Sequence, residues 1–236
     1  MKVEIHRSEQ RGKASYGWLE TIHSFSFADY FNPLRERFGV VRVLNEESIS
    51  GGHSTAPHTH SNMEIITIPI KDNLEQIDSN GNRNLIREGE VQLLSAGTGI
   101  TVSEANLLSE NPGSFLQIWI FPETKHTNPE VNKLAYYSSV RKNIPHLIVS
   151  PEQKRSVLYI RQRAWMYLLD MDKGSVVDYQ LNLSGNGLMV FVIEGEVNAA
   201  GEQLRRRDSF EMWGADQLAV EAREDARLLL IEVPAD

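Results

Sequence analysis

Two histidines one residue apart, His58 and His60, are the side chains in this 236-residue chain whose spacing points most directly to chemistry. Neutral imidazole is a common ligand of divalent transition metals. The pair opens the run PHTHSNMEIITIPI, Pro57 to Ile70, which reads as β-strand. Side chains at i and i+2 of a strand share a face, so both rings can address one point. That is half of a metal site, and the other half must come from a partner strand. All seven histidines lie at or before His146, which assigns any imidazole site to the first part of the chain.

The elements that must position these rings are strands. Short β-branched and apolar runs recur: VVRVLN (Val40 to Asn45), EVQLLSAG (Glu90 to Gly97), FLQIWIFP (Phe115 to Pro122), LMVFVIEGEVNAAG (Leu188 to Gly201) and RLLLIEVP (Arg227 to Pro234). Turn signals such as Asp78-Ser79-Asn80-Gly81, Glu88-Gly89 and Glu194-Gly195 separate them. The one short helix expected spans Pro129 to Tyr137, with Thr127 or Asn128 as its cap. The class is therefore all-β, a sandwich or barrel. A strand–turn–strand order over Ile68 to Leu94 repeats over Phe191 to Trp213, which suggests two tandem β units. The division is expected between Asn128 and Pro145, giving units of about 1–133 and 134–236.

Composition narrows the functions open to the chain. Hydrophobic residues make up 41% and charged residues 24%, as in an ordinary globular protein. A net charge of −8 argues against broad binding to nucleic acid or anionic membrane. No apolar run approaches the roughly 20 residues of a membrane span. The start, MKVEIHRSEQRGK, lacks the apolar stretch of a secretory signal, so a cytoplasmic location is expected. The absence of cysteine excludes disulfides, thiolate zinc sites and cysteine nucleophiles.

Context sharpens the histidine pair. With Gly52 before it and Glu64 after it, the segment reads G-x5-H-x-H-x3-E and resembles the first motif of the cupins, although Lys71 stands where that motif continues with glycine. The ordered segments HSFSFADYFNP (His23 to Pro33), PHTHSNMEI, DSNGN (Asp78 to Asn82), SAGTGITVSE (Ser95 to Glu104) and LQIWIFPE (Leu116 to Glu123) resemble the pirin family, in particular bacterial pirin-like bicupins that include quercetin 2,3-dioxygenases. The resemblance covers nearly the whole chain, more loosely in the second half. It implies two cupin barrels, the first holding one divalent metal, usually iron, on three histidines and one glutamate. Two of these ligands match His58 and His60. The family's G-x-G-I-x-H-S-E segment reads here as Gly97 to Glu104, with Glu104 in place and Val102 where the third histidine belongs. Valine offers no lone pair, which leaves two histidines and one carboxylate, the donor set of facial-triad iron oxygenases. Weaker metal binding, or none, is the expected consequence. Glu64 is a candidate substitute ligand and, with Glu104, a candidate proton acceptor. Its alternative role is a salt bridge or a hydrogen bond to a ligand histidine.

Other residues carry simpler expectations. The aromatics of SYGWLETIHSFSFADYFNP are expected to pack the N-terminal segment on the barrel, with the lining of a flavonol-sized pocket as the alternative. His23 is expected to be a hydrogen-bonded structural histidine and His53 a surface residue. Trp119 and Gln117 share a strand face that meets either the cavity or the seam between units. Arg205-Arg206-Arg207 reads as a solvated turn. By resemblance, the function is flavonol ring cleavage with O₂, weakened or lost through Val102. The alternatives are a non-catalytic stress, redox or protein-binding factor, and a metal-free small-molecule binder or sugar-processing cupin. Tandem cupins pack together like a single-cupin dimer, so a monomer is expected.

Overall fold

The computed structural model describes residues 1–107, 110–136 and 142–235. The strands of its first half and leading edge are β1 (Lys2–His6), β2 (Gly12–Ser15), β3 (Leu19–His23), β4 (Val41–Ile49), β5 (His53–Ser54), β6 (His58–His60), β7 (Glu64–Lys71), β8 (Leu74–Asp78), β9 (Arg83–Ile86), β10 (Glu90–Ser95), β11 (Ile100–Asn106), β12 (Gly113–Ile120) and β13 (Glu130–Ala135). Those of the second half are β14 (His146–Ser150), β15 (Leu158–Tyr159), β16 (Trp165–Met171), β17 (Val176–Gln180), β18 (Gly187–Glu194), β19 (Glu196–Ala199), β20 (Glu202–Arg205), β21 (Ser209–Trp213), β22 (Gln217–Ala222) and β23 (Ala226–Val233). The only helical turn among the described residues is the short 3-10 segment Ser8–Gln10. Among the described residues, no helix is long and apolar enough to cross a membrane.

Each half pairs one large sheet with one small sheet, the arrangement of two cupin barrels in tandem. The first large sheet runs β13-β10-β7-β12-β4-β3-β2, and its companion runs β5-β11-β8-β9 with β6 also on β11. The second large sheet runs β1-β21-β18-β23-β16-β14-β15, and its companion runs β17-β22-β19-β20. The first strand of the chain therefore pairs with β21 of the later half.

The central strands are apolar on both faces because both faces are buried. On β7, Ile66 and Ile68 join Leu116 and Ile118 of β12 in a core shared with Met166, Met189, Phe191 and Leu229. This core is the seam between the two large sheets. The opposite face of β7 and β12 carries Ile65, Thr67, Gln117 and Trp119 into the first barrel. The second barrel has its own apolar filling, with Val190, Val192, Phe210, Leu228 and Leu230 among its members.

The helix expected at Pro129–Tyr137 is instead strand β13, which pairs antiparallel with β10 from Glu90↔Ala135 to Ser95↔Glu130, with Tyr137 itself outside the described residues. Val131 and Leu134 explain the change. A spacing of three puts residues on one face of a helix but on opposite faces of a strand. Here Val131 packs into the first barrel and Leu134 onto the seam core, so only the strand satisfies both.

Candidate functional site

The site is assembled from β6, β11, β8, β4 and β12. Strand β6 lies antiparallel on β11, with His58 opposite Val102 and His60 opposite Ile100. Strand alternation sends these four side chains inward, while Thr59 and Thr101 meet outside through their hydroxyls at 2.7 Å. The turn before β11 fixes this pairing. Gly97 has φ 48° and lies so close to Thr127 that a Cβ would stand 2.0 Å from its carbonyl oxygen. Its own carbonyl accepts from the Asn62 amide at 2.8 Å, tying the end of β6 to the start of β11.

His58 and His60 lie edge to face, 4.8 Å between ring centres. His58 stands at the mouth, its Nδ1 held by the Ala56 carbonyl at 3.0 Å and its Nε2 3.6 Å from Glu104 Oε2. His60 is deeper, packed edge to face on Trp119 at 4.7 Å. Its Nε2 is buried and has no hydrogen-bond partner. Burial, with His58 adding to it, pushes the His60 imidazole down to about 4, so the ring is neutral and its lone pair is free.

Glu104 is buried and loosely held. Thr55 Oγ1 donates to Oε2 at 3.1 Å, while the amides of Gln76 and Gln117 approach Oε1 at 3.5 and 3.4 Å. Gln76 in turn accepts from Gln92 at 2.8 Å, and Gln117 accepts from the Trp119 indole at 2.7 Å. A buried polar chain thus stands behind one carboxylate. Val102, 1% exposed, sits directly beside His58 as an apolar wall.

His58, Glu104, Thr55 and Gln117 line a cavity of about 240 Å³ that also takes in Tyr16, His23, Phe27, Glu47 and Trp119, while His60 packs behind it against His58 and Trp119. Glu47 was not singled out by the sequence. It lies on β4, and burial together with the nearby Glu104 charge pushes its carboxyl up to about 7. Tyr16 and Phe27 line the cavity rather than only fastening the N-terminal segment, whereas Phe25 is in the seam core. His23 is buried against Thr21 Oγ1 at 3.2 Å and stacks on Tyr30. His53 is exposed and stacks on Trp18. Trp119 and Gln117 face the cavity.

Glu64 does not join this group. It shares the seam face of β7 with Ile66 and Ile68, where Ser95 Oγ donates to it at 2.8 Å and receives Arg161 at 2.8 Å. Its carboxyl is raised by burial, with Ser95 and Arg161 opposing. The reading of Arg207 as part of a solvated turn is also corrected. Arg205 and Arg206 are exposed, but Arg207 is buried and grips both oxygens of Glu46 at 2.6 Å across the seam.

The donors present suit a divalent cation in kind, with two imidazoles, one carboxylate and an orphaned buried Nε2. They are not drawn tightly together. Among the described residues, the only cluster of three such donors within 4.8 Å of one another is Glu4, His6 and Glu211, near the seam. There Arg35 already holds both oxygens of Glu211 at 2.9 and 2.8 Å and contacts His6, so its guanidinium stands where a cation would have to enter.

Comparison with known proteins identifies the family. The pirin family matches residues 4–120, and the quercetinase C-terminal cupin domain matches residues 147–233. Quercetin 2,3-dioxygenase of Escherichia coli is 30% identical over 232 residues, covering 98% of this chain and 99% of that protein. A pirin-like protein of Caulobacter vibrioides is 32% identical over 225 residues, 95% and 96% of the two chains. The crystal structure of the bacterial pirin YhhW of Escherichia coli in complex with nickel(II) superposes with a TM-score of 0.93 at 29% identity over 100% of both chains. Two cupin barrels, the matches to both pirin domains and relatives of matching length place this chain in the pirin family.

Proposed function

We propose that the first barrel binds a ferrous or similar divalent ion on His58, His60 and Glu104, and that the cavity beside it takes a flavonol-like enol for oxidative ring cleavage at an attenuated rate. The observation that carries this reading is the unpartnered, buried Nε2 of His60, whose ring lies edge to face on that of His58, with His58 Nε2 in turn 3.6 Å from Glu104 on the cavity lining. Relatives described as quercetin 2,3-dioxygenase support the substrate class. A bound ion would supply Lewis acidity toward an enol hydroxyl. The chain's own contributions are separate. His60, held neutral by burial, keeps its lone pair available near pH 7. Glu104 offers a carboxylate oxygen as proton acceptor at the cavity floor. Tyr16, Phe27 and Trp119 give a planar molecule apolar and aromatic walls. Glu64, on the seam face, has no part in this proposal.

Val102 favours a second reading, in which the family site has become a non-catalytic binding cavity. The two separate in one experiment: quercetin turnover and bound-metal content for the wild type and for Val102→His. Under the first reading the wild type turns over slowly and Val102→His gains both metal and rate. No turnover in either protein, with metal bound to both, would leave only the second.

A further inference from the structure

A second cleft, of about 580 Å³, opens beside the seam, and it is independent of the reading just given. Arg7, Arg11 and Arg35 line it, together with His6, Ser24 and Tyr30. Tyr30 also stacks on His23 of the first cavity, so one aromatic pair stands between the two spaces.

The arginines are not equally satisfied. Arg35 is committed to both oxygens of Glu211. Arg7 pairs with Asp208 at 2.9 Å. Arg11, 7% exposed, donates from Nη2 to the Ile22 carbonyl at 3.1 Å, but its Nε and Nη1 are buried with no acceptor. Glu46 lies 3.7 Å from Nη1, and both of its oxygens already accept from Arg207. Phe191 faces the Arg11 guanidinium at 5.2 Å. Burial pushes this guanidinium down to about 10, with the Glu46 charge opposing and the Arg207 charge adding to the fall. Ser24 Oγ, on the same cleft, is likewise buried without a partner. The carboxylate of Glu4, also on the lining, is engaged by Lys2 at 2.6 Å. Buried cationic donors without acceptors are costly, and an oxyanion is the ligand that relieves the cost.

We propose that this cleft binds the carboxylate or phosphate group of a small molecule, with Arg11 and Ser24 as the donors. Nothing in it depends on the metal site. The test is thermal unfolding of the whole protein in rising inorganic phosphate and, separately, citrate, at ionic strength held constant with sodium chloride. At least one anion should raise Tm saturably in the wild type and in His58→Ala. A response to phosphate alone would identify a phosphorylated ligand, and to citrate alone a carboxylate. Arg11→Met should abolish the response, and Ser24→Ala should weaken apparent affinity about fivefold, the loss of one hydrogen bond of roughly 1 kcal/mol. No saturable response to either anion would overturn the proposal. So would an undiminished response in Arg11→Met or, should that variant not fold, in Ser24→Ala.

Discussion

Glu104 in the first barrel and Glu232 in the second are both buried carboxylates, at 2% and 0% exposure, yet their surroundings differ in kind. Glu232 accepts from Tyr179 Oη at 2.8 Å, from the backbone amides of Asn182 and Leu183 at 2.9 and 3.0 Å, and from the side-chain amides of Asn182 and Asn186 at 2.8 and 2.9 Å. Those donors saturate both oxygens. Glu104 has one firm donor, Thr55, and two amides at the limit of hydrogen bonding. Around it, His60 Nε2, Thr67 Oγ1 and Gln92 Oε1 are buried without partners. A saturated carboxylate holds a loop to a barrel. An unsaturated one, among other unsatisfied polar atoms, leaves capacity for a ligand. The same fold thus carries a saturated acid in one half and, at the proposed binding position, an unsaturated one in the other.

Stability separates the two acids most strongly. Glu232→Ala removes the acceptor of five donors, of which Tyr179 Oη and the Asn186 amide are buried, and should cost more than about 3 kcal/mol, or prevent folding. Glu104→Gln keeps the shape and should stay within about 1 kcal/mol, since little that it does in the fold requires a charge. Denaturant unfolding of both variants compares them directly, and equal losses would break the distinction.

The seam gives the next largest effect. Arg207→Met leaves Glu46 buried with a weaker partner and should cost about 2–4 kcal/mol. Arg206→Ala, one residue away and exposed, should change stability by less than about 0.5 kcal/mol. Similar losses at the two positions would return Arg207 to the solvated turn.

Val102→His places an imidazole beside His58. It should raise affinity for a divalent ion at least about tenfold, worth about 1.4 kcal/mol, when nickel(II) binding is titrated. Unchanged affinity would show that Val102 is not the missing donor position.

The pH dependence of folding separates two groups of the first barrel. Glu47 ionises near 4.5 when unfolded and is pushed up to about 7 in the fold. Between those values the folded state holds more protons, so this carboxyl subtracts stability as pH rises from 4.5 through 7. His60 acts in the opposite sense. Lowered from 6.5 to about 4, it subtracts stability as pH falls from 6.5 through 4. Glu47→Gln removes only the first effect, so it should gain on the wild type by on the order of 1–3 kcal/mol between pH 4.5 and 7.5. Parallel stability profiles for the two proteins would contradict this.

Much of the site was legible in the residues because period-two alternation is a local rule. His58 with His60, and Val102 with Glu104, needed only that rule and the motifs flanking them. Glu64 misled because the rule stops at a turn. Asn62 has φ 49° between β6 and β7, so the face count from His60 does not carry across. The true face of Glu64 follows from Ile66 and Ile68 on its own strand. Glu47 and Gln76 gave no signal of their own, because their importance comes from strands that the sequence does not pair with the histidines. Strand β13 carried helix-start residues, but the free edge of β10 and two separate cores for Val131 and Leu134 prevailed over local propensity. The chain's first strand joining β21 is likewise a matter of long-range pairing that no local pattern records.

The most direct test of the binding acid is calorimetric titration of metal-free protein with nickel(II). Wild type, His60→Ala, Glu104→Gln and His6→Ala would be measured side by side. The account predicts one ion per chain in the wild type and in His6→Ala, and loss of binding in His60→Ala and Glu104→Gln. Binding that survives both of those substitutions but disappears in His6→Ala would place the ion at the seam cluster and contradict the assignment to the first barrel.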